Sequence, residues 1–190
     1  MTSRAAEDIE LLNRYLGGDI AAFDELVRAH EDRVFGICLR MMRDREAALD
    51  AVQETFVTVF RKADRYQAKA AFSTWLYRVA VNTCYDQLRK AKRRRAEPLP
   101  ETTDPADPRA GDPLSAAELR PDIEKALLEI PEEFRAAVVL VDLEGLSLEQ
   151  AAKILDKPVG TIKSRVFRGR KLLAEVLGNL RAGSRHQRDE

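Results

Sequence analysis

Cationic side chains that could bind nucleic acid are concentrated in two separate parts of this 190-residue chain. Residues 89–95 are basic at every position except Ala91, and residues 157–171 carry several cations and no acid. The formal net charge is nevertheless zero, because acids outnumber cations between residues 101 and 124. Clustered Lys and Arg side chains are electrostatic footprints for phosphate. The segregation of charge therefore predicts two phosphate-binding surfaces on either side of an acidic segment.

The second basic run has the sequence pattern of a helix-turn-helix. A short helix begins at Ser147, which has capping-box spacing with Gln150. Pro158 predicts a turn, and a longer helix follows from about Val159 to Leu177. A short helix, a tight turn and a long basic helix are typical of this motif, whose second helix enters the major groove.

Side chains on the long basic helix divide between a core face and an outer face. The core face is predicted to hold Ile162, Val166, Leu173 and Leu177, with Gly169 on the same side, where it permits close helix packing. Donors near the start of a recognition helix can meet base edges and phosphates. The outer face holds Thr161, Lys163, Ser164, Phe167, Arg168 and Lys171, so it offers such donors for contact with duplex DNA. A solvated basic face on a structural helix is the alternative interpretation.

The sequence contains no recognisable catalytic or metal-binding pattern. His30 and His186 are isolated, and Cys38 and Cys84 lie far apart without C-x-x-C spacing. A phosphate loop and a nucleophile elbow are also missing. We therefore predict a protein that is not an enzyme and has no catalytic residue, cofactor, metal or disulfide. Its cysteines are interpreted as two small buried hydrophobic residues in a reducing compartment.

The location of the protein is predicted from its apolar segments. No apolar stretch is long enough to cross a bilayer. The first eight residues lack the apolar core of a signal peptide. We therefore expect no membrane insertion and a cytoplasmic protein.

Proline and glycine divide the chain into two helical modules. Residues 96–119 are rich in proline and acids and contain almost nothing large and apolar, which predicts a flexible linker. Residues 1–95 form the larger module, residues 120–178 the smaller one, and residues 179–190 are predicted to be a disordered tail. No segment alternates convincingly with period two. The predicted fold class is all-α: two small helical domains joined by a flexible acidic linker, the C-terminal one a helix-turn-helix.

Helical periodicity and capping residues define the elements inside both modules. Gly17-Gly18 predicts the end of a first helix, whereas Asp44 and Ser73 are predicted to cap two later helices. Pro131 splits two helices in the second module, where the β-prone stretch Val138-Val139-Leu140-Val141 is interpreted as buried helix. The residues predicted to face the first core are Ile20, Phe23, Leu26, Val27, Val34, Ile37, Cys38, Met41, Leu49, Val52, Phe56, Val59, Phe60, Leu76, Val79, Ala80 and Thr83.

Four motifs together resemble one family, the extracytoplasmic-function (ECF) class of bacterial RNA polymerase sigma factors. The motifs are Phe23-Asp24-Glu25-Leu26, Asp50-Ala51-Val52-Gln53-Glu54-Thr55-Phe56, Phe72-Ser73-Thr74-Trp75-Leu76-Tyr77-Arg78-Val79-Ala80-Val81-Asn82-Thr83 and Val159-Gly160-Thr161-Ile162-Lys163-Ser164-Arg165-Val166-Phe167-Arg168-Gly169-Arg170. They occur in the order of the family. A helix-turn-helix alone is shared by many regulators, whereas the four motifs together are specific.

The resemblance implies a function and a set of partners. Such a protein binds core RNA polymerase at the beta-prime clamp and the beta flap, recognises minus-ten and minus-thirty-five promoter elements and promotes strand opening. Residues 1–95 would be the region-two domain and residues 120–178 the region-four domain. The protein would act in transcription initiation, in a stress or envelope response, with an anti-sigma factor as inhibitor.

The resemblance also implies which residues make the contacts. Asp50, Gln53 and Glu54 would bind the polymerase, with an ordinary solvated helix face as the alternative. Aromatic side chains among donors suit single-stranded DNA, because unstacked bases stack on aromatic faces while cations hold phosphates. The residues implied to contact minus-ten DNA are Trp75, Tyr77, Arg78, Asn82, Tyr85 and Arg89. Core packing of Trp75 is an equally good interpretation. The residues implied to contact minus-thirty-five DNA are Thr161, Lys163, Ser164, Phe167 and Arg168.

One loop departs from the pattern of the family. The family implies a non-template base flipped into a pocket formed by the loop before the minus-ten helix. In this chain the loop is Tyr66-Gln67-Ala68-Lys69-Ala70-Ala71, which lacks the glycine and acid often found there. The preferred minus-ten sequence therefore stays open.

Two other functions fit parts of the sequence. A stand-alone helix-turn-helix regulator would bind a palindromic operator without polymerase and would not need Asp50 and Gln53. A helical adaptor that sequesters a protein partner would leave the basic helix unexplained. Promoter-specific transcription with core polymerase separates both from a sigma factor.

Overall fold

The computed structural model describes residues 4–42, 44–67, 70–96 and 121–186. The chain divides into two compact units, Met1–Ala106 and Asp107–Glu190. Every regular element in the described ranges is helical, which confirms the all-α prediction. Apart from Ala96, the predicted linker of residues 96–119 lies outside the described residues.

The described residues of the first unit form four α-helices. They are α1 (Arg4–Leu16), α2 (Ile20–Met41), α3 (Arg45–Lys62) and α4 (Phe72–Ala96), with a short 3-10 turn at Ala63–Arg65. Gly18 follows α1 with a φ of 102°, a left-handed conformation that glycine adopts without strain. Asp44 caps α3 as predicted, since its carboxylate accepts from the Ala47 amide at 2.7 Å.

The start of α4 differs from the prediction. The helix already begins at Phe72, and the amides of Thr74 and Trp75 both bond to the carbonyl of Ala71. Ser73 therefore lies inside the first turn, and the prediction that it caps this helix was wrong. Sequence alone did not favour Phe72 as a first residue, because its position is fixed by packing: its side chain is among the largest that are fully buried.

The core of the first unit is built from apolar stripes on α2, α3 and α4. Three residues predicted to face this core are instead exposed: Ile20 is 66% exposed, Leu49 42% and Phe60 44%. Ile20 is the first residue of its helix, and α3 carries apolar residues over more than one face, so periodicity alone could not choose the buried set. The core residues of the prediction that are buried are Phe23, Leu26, Val34, Ile37, Cys38, Met41, Val59, Leu76, Ala80 and Thr83.

Within residues 121–186, the second unit has four further α-helices and a short π-helical segment. They are α5 (Pro121–Glu129), α6 (Glu132–Val138) with the π segment Val139–Leu143, α7 (Leu148–Leu155) and α8 (Val159–His186). The capping box is present as predicted, with Ser147 N to Gln150 Oε1 at 2.8 Å and Gln150 N to Ser147 Oγ at 3.2 Å. Asp156 then takes a left-handed conformation, with a φ of 52°, and ends α7.

The core of the second unit brings α8 against α5 and α6. Leu127, Ile130, Val138 and Val139 form its centre, and Leu172, Leu173 and Val176 of α8 pack onto it. The β-prone stretch is therefore helical and largely buried, as predicted, although from Val139 onward it winds as a π-helix. Buried Arg135 donates to the carbonyls of Leu128 and Ile130, which satisfies groups left over at the end of α5.

The long helix extends further than predicted. It continues to His186, whereas the sequence predicted an end near Leu177 and a disordered tail over residues 179–190. Gly178 lies inside the helix with nothing within 4 Å of an added Cβ. A glycine inside a helix costs only about 1 kcal/mol relative to alanine, so it does not by itself end the helix.

Candidate nucleic-acid and protein interfaces

A stripe of polar side chains follows one face of α4. Trp75, Arg78, Asn82, Tyr85 and Arg89 are three or four residues apart, a spacing that places helical residues side by side. The side chains of Arg78, Asn82 and Arg89 are exposed, and those of Trp75 and Tyr85 are half-buried. We call these five residues the α4 surface. It presents donors and a partly exposed aromatic ring along one line.

An aromatic cluster lies beside the first turn of α4. Tyr66, Phe72 and Trp75 contact each other with ring centroids 5.7–5.8 Å apart. The hydroxyl of Tyr66 donates to the carbonyl of Ala70 at 2.6 Å, so this ring spans the described ends of the loop. Burial raises the pKa of Tyr66, and the negative charge of Asp8 raises it further, so the phenol stays protonated and can donate. We call these three rings the aromatic cluster.

Tyr77 does not lie on the α4 surface. Its side chain is only 3% exposed, and the guanidinium of Arg33 lies over its ring at 5.4 Å from the centroid. It follows Trp75 by two residues, and that spacing turns a helical side chain to another face. The structure thus contradicts the predicted DNA contact of Tyr77. The ring of Trp75 packs on the aromatic cluster and is half-buried, so it combines core packing with an accessible part of the ring.

The cationic end of α4 is open to solvent. Residues 89–95 are all exposed, and they include the basic run found in the sequence. Arg89 forms an ion pair with Asp86 one turn earlier. Because positive charge is favourable near a helix C-terminus, this cluster also stabilises the helix that carries it.

The outer face of α3 combines acids with apolar side chains. Asp50, Gln53 and Glu54 are exposed, as a contact surface requires. Leu49 and Val57, 42% and 46% exposed, lie on the same face at helical spacing. We call these five residues the α3 surface. The Glu54 carboxylate accepts from Gln87 Nε2 of α4 at 3.1 Å, which ties this surface to the next helix.

The outer face of α8 holds the candidate duplex contacts. Lys163, Ser164, Phe167 and Arg168 are exposed and Thr161 is half-buried, and we call these five residues the α8 surface. Phe167 is 72% exposed, which makes it an unusually open aromatic side chain. The hydroxyl of Ser164 donates to the carbonyl of Thr161 at 2.9 Å.

Two contacts fix the orientation of α8 within its unit. Arg170 makes a two-pronged ion pair with Asp142 of the π segment, with Nε to Oδ2 at 2.9 Å. Gly169 is buried, and a Cβ there would lie 2.6 Å from Val138 Cγ2 and 3.2 Å from the Phe134 carbonyl oxygen. The predicted close packing at Gly169 is thereby confirmed. Gly169 lies on the side of α8 away from the α8 surface, whereas Arg170 lies one turn after Phe167, at the edge of that surface.

The residues that the structure describes include no group of three or more His, Cys, Asp or Glu that could hold a metal ion. None of the helices described there has the length and apolar character to cross a membrane.

The sequence matches two families of domains and several characterised proteins. The Sigma-70 region 2 family matches residues 26–94, and the Sigma-70, region 4 family matches residues 120–173. The ECF RNA polymerase sigma factor SigM of Mycobacterium tuberculosis is 39% identical over 176 residues, which cover 93% of this chain and 87% of that protein. This chain belongs to the ECF sigma factors. It is therefore a transcription-initiation factor.

Other relatives of this ECF sigma factor differ from it in chain length and in sequence identity. SigE of Mycolicibacterium smegmatis is 43% identical over 166 residues, but the chain spans only 64% of the length of that protein. Among solved structures, the sigma factor RpoE of Bartonella quintana, in complex with the anti-sigma factor NepR, matches with a TM-score of 0.69 and 28% identity. That match covers 84% of this chain and 98% of the other.

The family matches divide the three surfaces between two domains. The α3 and α4 surfaces lie within the region 2 match, and α8 begins within the region 4 match. Sequence reasoning missed Leu49 and Val57 as members of the α3 surface. The signal was available, since α3 has more apolar residues than one buried stripe can use.

Proposed function

We propose that this sigma factor binds core RNA polymerase, opens DNA at the minus-ten element and holds the minus-thirty-five element as duplex. It carries out no catalysis itself, and RNA synthesis belongs to the polymerase. The proposal rests on one observation. An aromatic and cationic surface on α4 lies in one compact unit, and the basic helix α8 lies in the other. One surface suits unstacked bases and the other suits an intact major groove.

The α3 surface is the proposed polymerase contact. Apolar side chains that are rimmed by polar ones are typical of protein interfaces, and Leu49 and Val57 are exposed beside Asp50, Gln53 and Glu54. Acids on the rim steer a cationic partner into place. We infer that this surface docks on the beta-prime clamp. The region 4 domain is proposed to contact the beta flap.

The α4 surface is the proposed site of strand opening. Trp75 has a partly exposed ring, while Arg78 and Asn82 present donors on the same line. Stacking of one base on an aromatic ring contributes about 1–3 kcal/mol, which offsets part of the cost of unstacking it. A flipped non-template base would therefore lie against the aromatic cluster. Arg89 and the basic end of α4 would hold adjacent phosphates.

The α8 surface is the proposed duplex contact. Lys163 and Arg168 can donate to guanine edges or phosphates, and the exposed ring of Phe167 can pack on a thymine methyl group. Thr161 lies in the first turn, near backbone amides that favour a phosphate. Arg170 is engaged with Asp142, so its role is to orient α8.

Joining the two domains in one chain makes two modest affinities act together. We propose that the protein works in the cytoplasm, where polymerase and promoter are. We also propose that an anti-sigma factor holds it inactive until a stress or envelope signal arrives. The Bartonella quintana relative, which was solved with its anti-sigma factor NepR, supports such a partner.

Transcription in vitro with core polymerase and a pool of genomic promoter fragments tests this proposal. A sigma factor gives promoter-specific transcripts that require both this chain and core polymerase. A stand-alone regulator would instead bind its operator without polymerase and yield no such transcripts. A gel shift with the isolated chain is not decisive, because members of this family commonly bind duplex poorly until polymerase is present.

A further inference from the structure

A buried polar pair joins α1 to α2 and is used by none of the three surfaces. Asp8 is 1% exposed and His30 5%, and His30 Nε2 lies 2.9 Å from Asp8 Oδ1. Arg4 approaches the same carboxylate oxygen at 3.5 Å and donates to the Ala29 carbonyl at 3.0 Å. Burying such a pair contributes little net stability, because desolvation offsets the attraction.

The pair lies directly behind the aromatic cluster. The imidazole of His30 packs against Phe72 with centroids 5.7 Å apart, and against Tyr77 edge-on at 6.4 Å. Phe72 in turn contacts Tyr66 and Trp75. The charge of Asp8 also acts on Tyr66, since it raises the pKa of that phenol together with burial. An unbroken line of contacts thus runs from Asp8 to the rings beside the α4 surface.

We propose that the Asp8–His30 pair is a positioning device that sets the base preference of the minus-ten contact. The hydrogen bond from α1 fixes the rotation of the imidazole, and the imidazole fixes the plane of Phe72. Phe72 then determines where Tyr66 and Trp75 present their faces. Neither Asp8 nor His30 touches DNA. This inference rests on the proposed function of the α4 surface.

Three substitutions separate positioning from plain stability. His30→Phe keeps an aromatic ring but removes the Nε2 group, and Asp8→Ala removes the bond from the other side. Asp8→Asn retains an oxygen at the Oδ1 position and serves as the conservative rescue. Val34→Ala is the matched control, because Val34 is fully buried on α2 one turn from His30 and carries neither a ring nor a hydrogen-bonding group.

The readout is the base preference at minus-ten rather than total activity. Each full-length variant is combined with core polymerase and a promoter library randomised at minus-ten, at a temperature where circular dichroism shows it folded. Transcripts are sequenced, and for each variant the transcript yield from the best minus-ten element is divided by the yield from elements with one base changed. This ratio is compared with that of the wild type. We expect His30→Phe and Asp8→Ala to flatten this ratio by about threefold to tenfold, which lies in the lower part of the range for coupled neighbours. Asp8→Asn and Val34→Ala should keep it.

The outcomes distinguish this inference from the proposed function. An unchanged ratio in both His30→Phe and Asp8→Ala, with only uniformly lower transcription, would overturn the positioning role. An equal loss of preference in Val34→Ala would overturn it as well, since the effect would then follow stability. If the wild-type chain itself shows no minus-ten preference, the proposed function of the α4 surface fails first.

Discussion

Gly169 of α8 lies so close to Val138 of α6 that a Cβ on the glycine would come within 2.6 Å of Val138 Cγ2. The backbone carbonyl of Phe134 borders the same space at 3.2 Å, and backbone cannot move aside as a side-chain end can. The missing side chain therefore determines how near the recognition helix approaches its unit. On the far side of the same helix, Phe167 and Arg168 remain open to solvent.

Replacing Gly169 tests this approach directly. Gly169→Ala should destabilise the chain by about 1–3 kcal/mol, because the methyl group overpacks a tight contact. Urea unfolding monitored by circular dichroism measures the change. Gly178→Ala is the control, since nothing lies within 4 Å of its added Cβ, and it should be neutral or stabilise by up to about 1 kcal/mol. Equal effects of the two substitutions would contradict close packing at Gly169.

Arg168 is predicted to read a base of the minus-thirty-five element. Arg168→Ala should weaken binding of polymerase holoenzyme to promoter DNA by about 1–3 kcal/mol and relax preference at one position. Fluorescence anisotropy with labelled promoter fragments measures this. Lys125→Ala, which removes an exposed cation on α5, is the control for loss of charge. An Arg168→Ala holoenzyme with wild-type affinity and preference would exclude this role.

The α3 surface is predicted to bind polymerase through both charge and apolar contact. Asp50→Lys should weaken association with core polymerase by on the order of tenfold, because it places a cation against a cationic partner. Val57→Ser should weaken it without any change of charge. Competition for core polymerase against a labelled sigma factor gives the affinities. The control is Glu10→Lys, which reverses an exposed acid on α1. If this control weakens binding as much as Asp50→Lys does, the effect is one of net charge.

The two cysteines were interpreted as buried hydrophobic residues, and both are fully buried. The pKa of Cys84 is strongly raised by its hydrogen-bonding contact with Cys38 and by burial. The folded chain therefore keeps this thiol neutral, whereas the unfolded chain can ionise it. We predict that labelling by a thiol reagent at neutral pH proceeds only as the chain unfolds. Labelling faster than unfolding, measured by stopped flow, would contradict this.

The raised pKa of Cys84 also gives stability a pH dependence with a definite sign. The contribution of the neutral Cys84 thiol to the free energy of unfolding is fully present below the ordinary thiol pKa of 9.0. It declines as the pH rises above that value, because the thiol of the unfolded chain then ionises. The slope for one thiol is about 1.4 kcal/mol per pH unit. Urea unfolding from pH 7 upward should show a shallower decline in Cys84→Ala than in wild type. Parallel declines in the two chains would refute the assignment.

Local chemistry explains which parts of the fold could be read from the sequence. The capping box of Ser147 and Gln150, the cap at Asp44 and the close packing at Gly169 depend on a few neighbouring residues or on a single missing atom. Such features can be recognised from residues that are close together in the sequence. They suffice to place a helix-turn-helix and its outer face.

Contacts distant in sequence explain what could not be read. His30 looks isolated in the sequence, yet it bonds to Asp8, 22 residues earlier. Tyr77 belongs to a motif that resembles a DNA-contacting one, but tertiary packing with Arg33 turns it into the core. Leu49 fits a core stripe by spacing and is exposed all the same, since α3 presents apolar residues to two sides.

The central claim is that this chain directs polymerase to a promoter through two helices. The α4 helix opens the DNA strands at minus-ten, while α8 binds the minus-thirty-five element as duplex. The most direct measurement is promoter opening by permanganate footprinting, with core polymerase and a promoter selected from the genomic pool. Wild type should expose thymines around minus-ten. Asn82→Ala should reduce that reactivity while holoenzyme still protects minus-thirty-five, and Arg168→Ala should reduce protection there. Reactive thymines with core polymerase alone, or none with wild-type holoenzyme on any promoter, would contradict the account.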